Sequence, residues 1–420
     1  LSAGAHSLTT DGKLQNIAKV IAHADGSTLD LTGQAENYTI DGAAGTDILK
    51  GGSGNDIITG KGGNDTFEGG IGNDTFNVDS GSDIINDLGG TGGQDDVLVV
   101  TAGATATASN IKSFTAKSTT KNLGTATLNS KTGTTTTVDM EEAGAGNGFT
   151  INGGSGVDTI TGSDYNDIIT GSGGNDIISG GKGNDSISGG ANDDDLTGGA
   201  GNDTFNIDSG EDTVRELATG DVFVVSAGAT LNAIDITTFV ANSSSKNQHA
   251  TGTAKLTAKA GTTTTIKMNN AGAGKFNLIA GSGTDTLWGG GSDDIITIAA
   301  STQGDADTID GYGGTDVLQL SAGTHTFTTN DNMLKNVEQV KVDTTSGSTV
   351  DLTNQTEGFT ITVAGQTDSI TGSDGNDIIT ILSAGHGNND TLIGGAGADA
   401  INLSAGSHTF SNDAKLATIE

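Results

Sequence analysis

Apolar side chains recur along this chain in two rhythms. In the first, single apolar residues stand nine positions apart, at Ile160, Ile169, Ile178, Ile187, Leu196, Phe205 and Val214. Each follows an aspartate by two positions: Asp158, Asp167, Asp176, Asp185, Asp194, Asp203 and Asp212. A shorter copy sets Leu49, Ile58, Phe67, Phe76 and Ile85 behind Asp47, Asp56, Asp65, Asp74 and Asp83. The second rhythm is period-two alternation in short runs rich in Thr, Val and Ile, as at 28–32 and 134–138. Such runs predict strands about four residues long. Helical periodicity is confined to at most one turn around residues 12–18. Together the two rhythms predict an all-β chain.

The nine-residue unit reads GGxGxDxUx, where U is apolar. Its glycines permit the positive-φ conformations of a tight six-residue loop, and the remaining xUx triplet suffices for one short strand with U pointing inward. Two units then make one 18-residue turn of a parallel β-roll, with two sheets packed through the U residues. Aspartates 18 residues apart would stack one strand spacing apart, about 4.8 Å. At an effective dielectric near 20, neighbouring carboxylates would repel by roughly 3 kcal/mol per pair. Several such pairs exceed the stability of an ordinary domain, about 5–15 kcal/mol. Loop carbonyls and aspartates together offer hard oxygen ligands that suit calcium, since magnesium requires a smaller, stricter octahedron. Metal binding and folding are therefore expected to be one event.

The ladders alternate with stretches that lack glycine loops. The sequence divides into a β-solenoid module at 1–41, a first roll at 42–100, a module at 101–151, a second roll at 152–225 and a module at 226–279. A third roll at 280–320, a module at 321–362, a fourth roll at 363–402 and the start of a further module at 403–420 follow. Thr134–Val138 in the second module recurs as Thr262–Ile266 in the third. Asp285, Asp294, Asp307 and Asp316 recur 83 residues later as Asp368, Asp377, Asp390 and Asp399, with the same four-residue insertion between second and third members. LSAGAHSL at 1–8 returns as LSAGTHTF at 320–327 and LSAGSHTF at 403–410. This phasing reads as a segment taken from a longer tandem array, processed or excised, with no signal peptide at Leu1. The plain modules are expected to stack on the rolls, prolonging one elongated rod or turning a corner in it.

Composition narrows the function classes. Aromatics are 4% and hydrophobic residues 32% of the chain, too few for several large globular cores. A formal charge of −34 disfavours nucleic acid and anionic membranes. The absence of cysteine removes disulfides and thiolate metal sites, and no run of about 18 apolar residues suggests a membrane span.

The hexapeptides GGSGND, GKGGND, GGIGND, GSGGND, GGKGND and GGAGND resemble the RTX (repeats-in-toxin) nonapeptide. The resemblance implies a parallel β-roll, calcium held by the repeat aspartates and loop carbonyls, and type I secretion to the calcium-rich exterior. It covers roughly half the chain and weakens at position four, which is Tyr165, Asn192, Ser292, Asp305, Gln366 or Asn388 in the departing loops. Those sites are expected to bind calcium poorly or only to stack.

Candidate metal ligands are the twenty ladder aspartates named above, with Asp164 and Asp374 as possible extra carboxylates or simply exposed residues. The bland alternative for the ladder is a set of Asn/Asp/Gly-rich turns without metal. His6, His325 and His408 share one slot of the repeated LSAG-x-H module, which argues for a structural role; His23, His249 and His386 stand alone. No metalloprotease motif, nucleophile elbow or Cys/His pair is present, so no enzymatic activity is expected. The third repeat position carries no threonine ladder, which argues against ice binding. Rolls alternating with plain modules resemble bacterial RTX surface-layer proteins and the extender regions of large RTX adhesins. The expected function is a secreted, calcium-dependent building block of a bacterial cell-surface layer or filament, with copies of itself and surface polysaccharide as partners. The alternatives are an adhesin stalk and the carboxyl-terminal calcium-binding region of a secreted enzyme.

Overall fold

The computed structural model describes residues 4–12, 14–23, 26–89, 95–248, 254–298, 307–328, 331–342, 347–363, 367–382, 390–404 and 416–417. His249, His386, His408, Asp305, Gln366 and Asn388 lie outside them, as does most of the 403–410 repeat. Among the described residues every regular element is a short β-strand, and the described strands pair in parallel, as in a β-solenoid. The chain divides into two units, Leu1–Asp212 and Thr213–Glu420.

In the first unit one sheet runs throughout: Gly4–Ser7, Ser27–Asp30, Ile48–Lys50, Thr66–Glu68, Ser82–Ile85, Thr105–Ile111, Thr125–Ser130, Thr150–Gly154, Ile168–Gly173, Ser186–Ala191 and Thr204–Ile207. A second sheet packs against it from Lys19–Ile21 through Thr39–Asp41, Ile57–Thr59, Thr75–Val78 and Val97–Val100, and ends at Lys121–Asn122. Phe67 and Phe76 stack across this interface at 6.4 Å between ring centres. A third sheet begins at Ser113–Thr115 and continues through Thr137–Asp139, Thr159–Thr161, Ile177–Lys182 and Asp195–Ala200. The plain stretch 101–151 is thus a handover: one sheet runs through it while its partner is replaced.

The second unit does the same twice. Its through-going sheet runs from Ala229–Ile236 to Ala400–Leu403. The paired strands Val222–Val225 and Lys246–Asn247 give way to a sheet from Thr238–Val240 to Leu334–Lys335. That sheet in turn yields to one beginning at Thr324–Thr326. At the first of these handovers Phe223 meets both Phe239 (5.9 Å) and Phe276 (6.2 Å), one aromatic from each of three sheets. The three rings pack together where the third sheet enters.

Register explains the nine-residue rhythm. Ile168 pairs with Ser186 and Ile169 with Ile187, one coil of 18 residues on. Where four residues are inserted the step is 22, as in Thr75 with Val97 and Ile378 with Ala400, and the inward file keeps its register. Ile151, Ile169, Ile187 and Phe205 form one such file, all fully buried. Every U residue of the two long ladders is buried. The preceding position faces out: Ile177 is 56% exposed. Ile187→Ala is expected to cost about 2–4 kcal/mol and Ile177→Ala under about 0.5 kcal/mol. Thermal unfolding in excess calcium checks both.

Candidate metal centre

The loops at the coil edges place all twenty ladder aspartates inside the molecule, none more than 3% exposed. They are threaded into files by one repeated contact, in which the backbone N–H of each aspartate donates to Oδ1 of the aspartate one coil later. In the second roll one file runs from Thr136 to Asp158, Asp176, Asp194 and Asp212, with lengths of 2.7, 2.7, 2.8 and 3.1 Å. The opposite file runs from Phe149 to Asp167, Asp185 and Asp203. The first roll has Ser27, Asp47, Asp65, Asp83 on one edge and Tyr38, Asp56, Asp74, Asp96 on the other. In the second unit the files are Thr264, Asp285, Asp307; Phe276, Asp294, Asp316, Glu338; Ser348, Asp368, Asp390; and Phe359, Asp377, Asp399.

Two members escaped the sequence reading. Asp96 is 2% exposed and takes the N–H groups of Asp74 and Gly89. Its signal was present, an aspartate two residues before the buried Leu98 and one inserted coil after Asp74. Glu338 ends another file by accepting from Asp316 N–H at 2.7 Å. A second, outer ladder was also missed. The side chain at position five accepts the N–H of position five one coil later, as in Asn55 to Asn73, Asn166 to Asn184 and Asn184 to Asn202. These bonds run opposite in sense to those of the aspartate file, so each loop is clamped to its neighbours from both sides.

The glycines answer to this geometry for different reasons. At position one a Cβ would strike the aspartate's own Oδ2, as at Gly60 with Asp65 and Gly180 with Asp185. At positions two and four the backbone is left-handed, with φ +103° at Gly70 and +140° at Gly72, and a Cβ would run into the carbonyls of Gly52 and Gly54 one coil earlier. Asn192 keeps a φ of 83° at position four, which asparagine tolerates.

Electrostatically the files are costly without a counter-charge. The Oδ2 atoms of Asp65, Asp83, Asp158, Asp176, Asp185, Asp194, Asp212, Asp307, Asp316 and Asp399 are buried without a hydrogen-bond donor. Burial first, and then neighbouring carboxylates, push Asp65, Asp74, Asp185, Asp212, Asp307 and Asp316 up to about 7. Asp83, Asp176, Asp194 and Asp294 rise to about 6, chiefly through burial. An orphaned, desolvated anionic oxygen repeated once per coil fits a divalent cation. Among the described residues no three carboxylate or imidazole side chains converge on one point. A cation here would therefore take one or two carboxylates and draw its remaining oxygens from loop carbonyls, which is calcium chemistry. When bound, calcium supplies the positive charge that lets these carboxylates stay ionised inside the stack.

Not every loop asks for the ion equally. In the GSDxND loops, Ser163 donates both N–H and hydroxyl to Asp167 Oδ2, and Ser373 does the same for Asp377. Asp164 does not join a site; it faces solvent and pairs with Lys182 at 2.7 Å, and Asp374 is likewise exposed. His325 is wholly buried, with Nε2 2.8 Å from the Ser321 carbonyl, a packing role.

Asp176→Asn is expected to move the midpoint of calcium-induced folding to about tenfold higher calcium, while Asp164→Asn leaves it in place, as followed by circular dichroism. The raised carboxylates also set a pH dependence. Their folded pKa lies above the unfolded 3.8, so the folded metal-free chain binds more protons than the unfolded one and loses stability as pH rises through about 6–7. In chelator, β content is expected to be low at pH 8 and to increase towards pH 5. In calcium the direction reverses, because protons compete with the ion.

The family model of the RTX calcium-binding nonapeptide repeat (4 copies) matches this chain at residues 31–58, 41–76, 50–85, 152–187, 179–214, 277–297, 301–324, 360–380 and 384–407. No curated protein matches it. The matched stretches contain all twenty ladder aspartates, whereas Asp96 and Glu338 lie beyond them. Repeat sequence and parallel β-solenoid agree: the chain belongs to the RTX calcium-binding repeat proteins, and its ladders are RTX β-rolls.

Proposed function

We propose that this chain is a secreted structural protein, without enzymatic activity, that assembles with copies of itself into a calcium-dependent layer or filament on a bacterial cell surface. The observation that carries the reading is the handover of sheets in the plain modules. Coils without calcium loops, such as Thr105–Ile111 and Thr125–Ser130, are stacked between coils that have them in one uninterrupted sheet. Rolls and modules thus form one continuous parallel stack within each unit, an architecture suited to spanning distance. Its acidic interior ties that architecture to the calcium of the exterior. RTX repeat proteins are typically secreted, which agrees with an extracellular site of action.

The twenty ladder aspartates are the residues proposed to hold calcium, with Asp96 and Glu338 closing their files. Millimolar calcium is the range in which extracellular calcium modules respond. Electron microscopy of the calcium-loaded protein is expected to show ordered two-dimensional or filamentous arrays that disappear on chelation. Arrays that persist in chelator, or single dispersed particles in calcium, would overturn the reading.

A further inference from the structure

Positive charge is segregated in this chain. Nine of its eighteen basic residues, but only four of its 52 acidic ones, lie in 101–151 and 226–279. The second roll, 152–225, holds fourteen acidic residues against Lys182 and Arg215. Six lysines, two of them within these modules, pair with a carboxylate at the surface: Lys19, Lys50, Lys61, Lys117, Lys182 and Lys275. Lys121, Lys131, Lys246 and Lys259 belong to the described lysines outside these pairs. Among the described residues none of them has an acidic side chain within ion-pair reach.

These four occupy two equivalent slots in the two modules. Lys121–Asn122 and Lys246–Asn247 are each the terminal strand of a sheet that ends at a handover. Lys131 and Lys259 each open the same turn. Thr134 and Thr262 donate their hydroxyls back to the carbonyls of Lys131 and Lys259, both at 2.9 Å. Gly133 and Gly261 sit at φ 72° and 73°, and their N–H groups donate to Ser155 at 3.0 Å and Ser282 at 2.9 Å. The turn is thus rigidly anchored while Lys131 and Lys259 themselves are exposed. A structural lysine in so acidic a protein would be expected to find a carboxylate, as six lysines of this chain do.

We propose that these lysine slots dock on the acidic outer faces of the rolls in a second copy of this chain. Once calcium neutralises the ladder, Asp193, Asp208 and Glu211 remain exposed on the second roll and carry its outward charge. Two copies at −34 each repel unless basic modules meet acidic rolls, so complementarity selects which surfaces touch. The two surfaces are different, which makes the contact heterologous and open-ended, the kind that propagates rather than closing as a dimer. The inference rests on the self-assembly reading above and adds which surfaces meet.

The test compares the wild-type chain with two fourfold variants at Lys121, Lys131, Lys246 and Lys259, all to Glu or all to Arg. Assembly onset is measured by light scattering in millimolar calcium at low and high salt. Circular dichroism first selects variants that fold with calcium; fourfold Gln replaces Glu if the latter does not. The expected result is an onset at least about tenfold higher in protein concentration for Glu (or Gln), a near-normal onset for Arg, and a wild-type onset that rises with salt. Equal onset for wild type and Glu overturns this inference alone. No assembly of the wild type defeats the array reading beneath it. Binding of heparin to these lysines with assembly unaffected would instead assign them to an acidic polysaccharide and overturn the second copy as partner.

Discussion

One constraint governs this molecule: an aspartate at nearly every loop is folded away from water, directly above another aspartate one strand spacing away. Its Oδ1 is satisfied by the backbone of the previous coil, as in Asp158 to Asp176, but the matching Oδ2 has no donor. A desolvated carboxylate beside like charges must be protonated or matched by a cation. The glycines, the coil length and the short strands all follow from making room for this stack.

The apolar side of the structure is thin by comparison. Each coil contributes one inward residue from each of two short strands, so a coil cannot bury enough surface to stand alone and depends on its neighbours. Continuity therefore matters more than the strength of any single layer. Across the four-residue insertions continuity is kept by a 22-residue step in the same register, and the plain modules keep it by running one sheet through while exchanging its partner. At one such exchange Phe223 packs against both Phe239 and Phe276, one ring from each of the three sheets that meet there.

Calcium loops and handover modules thus divide the labour. The loops bury carboxylate oxygens that lack a donor, while the modules hold most of the described lysines with no carboxylate within ion-pair reach.

Much of this was legible in the sequence, because a nine-residue repeat with one charged, one apolar and three glycine positions admits few backbones. The all-β class, the inward U column and the stacking of the aspartates one coil apart were read from the sequence, whereas their burial was shown by the structure. The tertiary structure decided what depends on neighbours one coil away. It showed that position-one glycine is required by the Asp Oδ2 rather than by a left-handed backbone. It showed that asparagine at position five forms a ladder of its own and that Asp96 and Glu338 extend the files. It also showed that Ser163 and Ser373 satisfy their own aspartates, while Asp164 turns outward to Lys182. None of these is a local propensity; each is a contact between residues 4 to 22 positions apart whose meeting is fixed by coil length. The sheet handover lay furthest from view, since alternating Thr-rich runs look alike whichever sheet receives them, and only stacking decides which edge each strand joins.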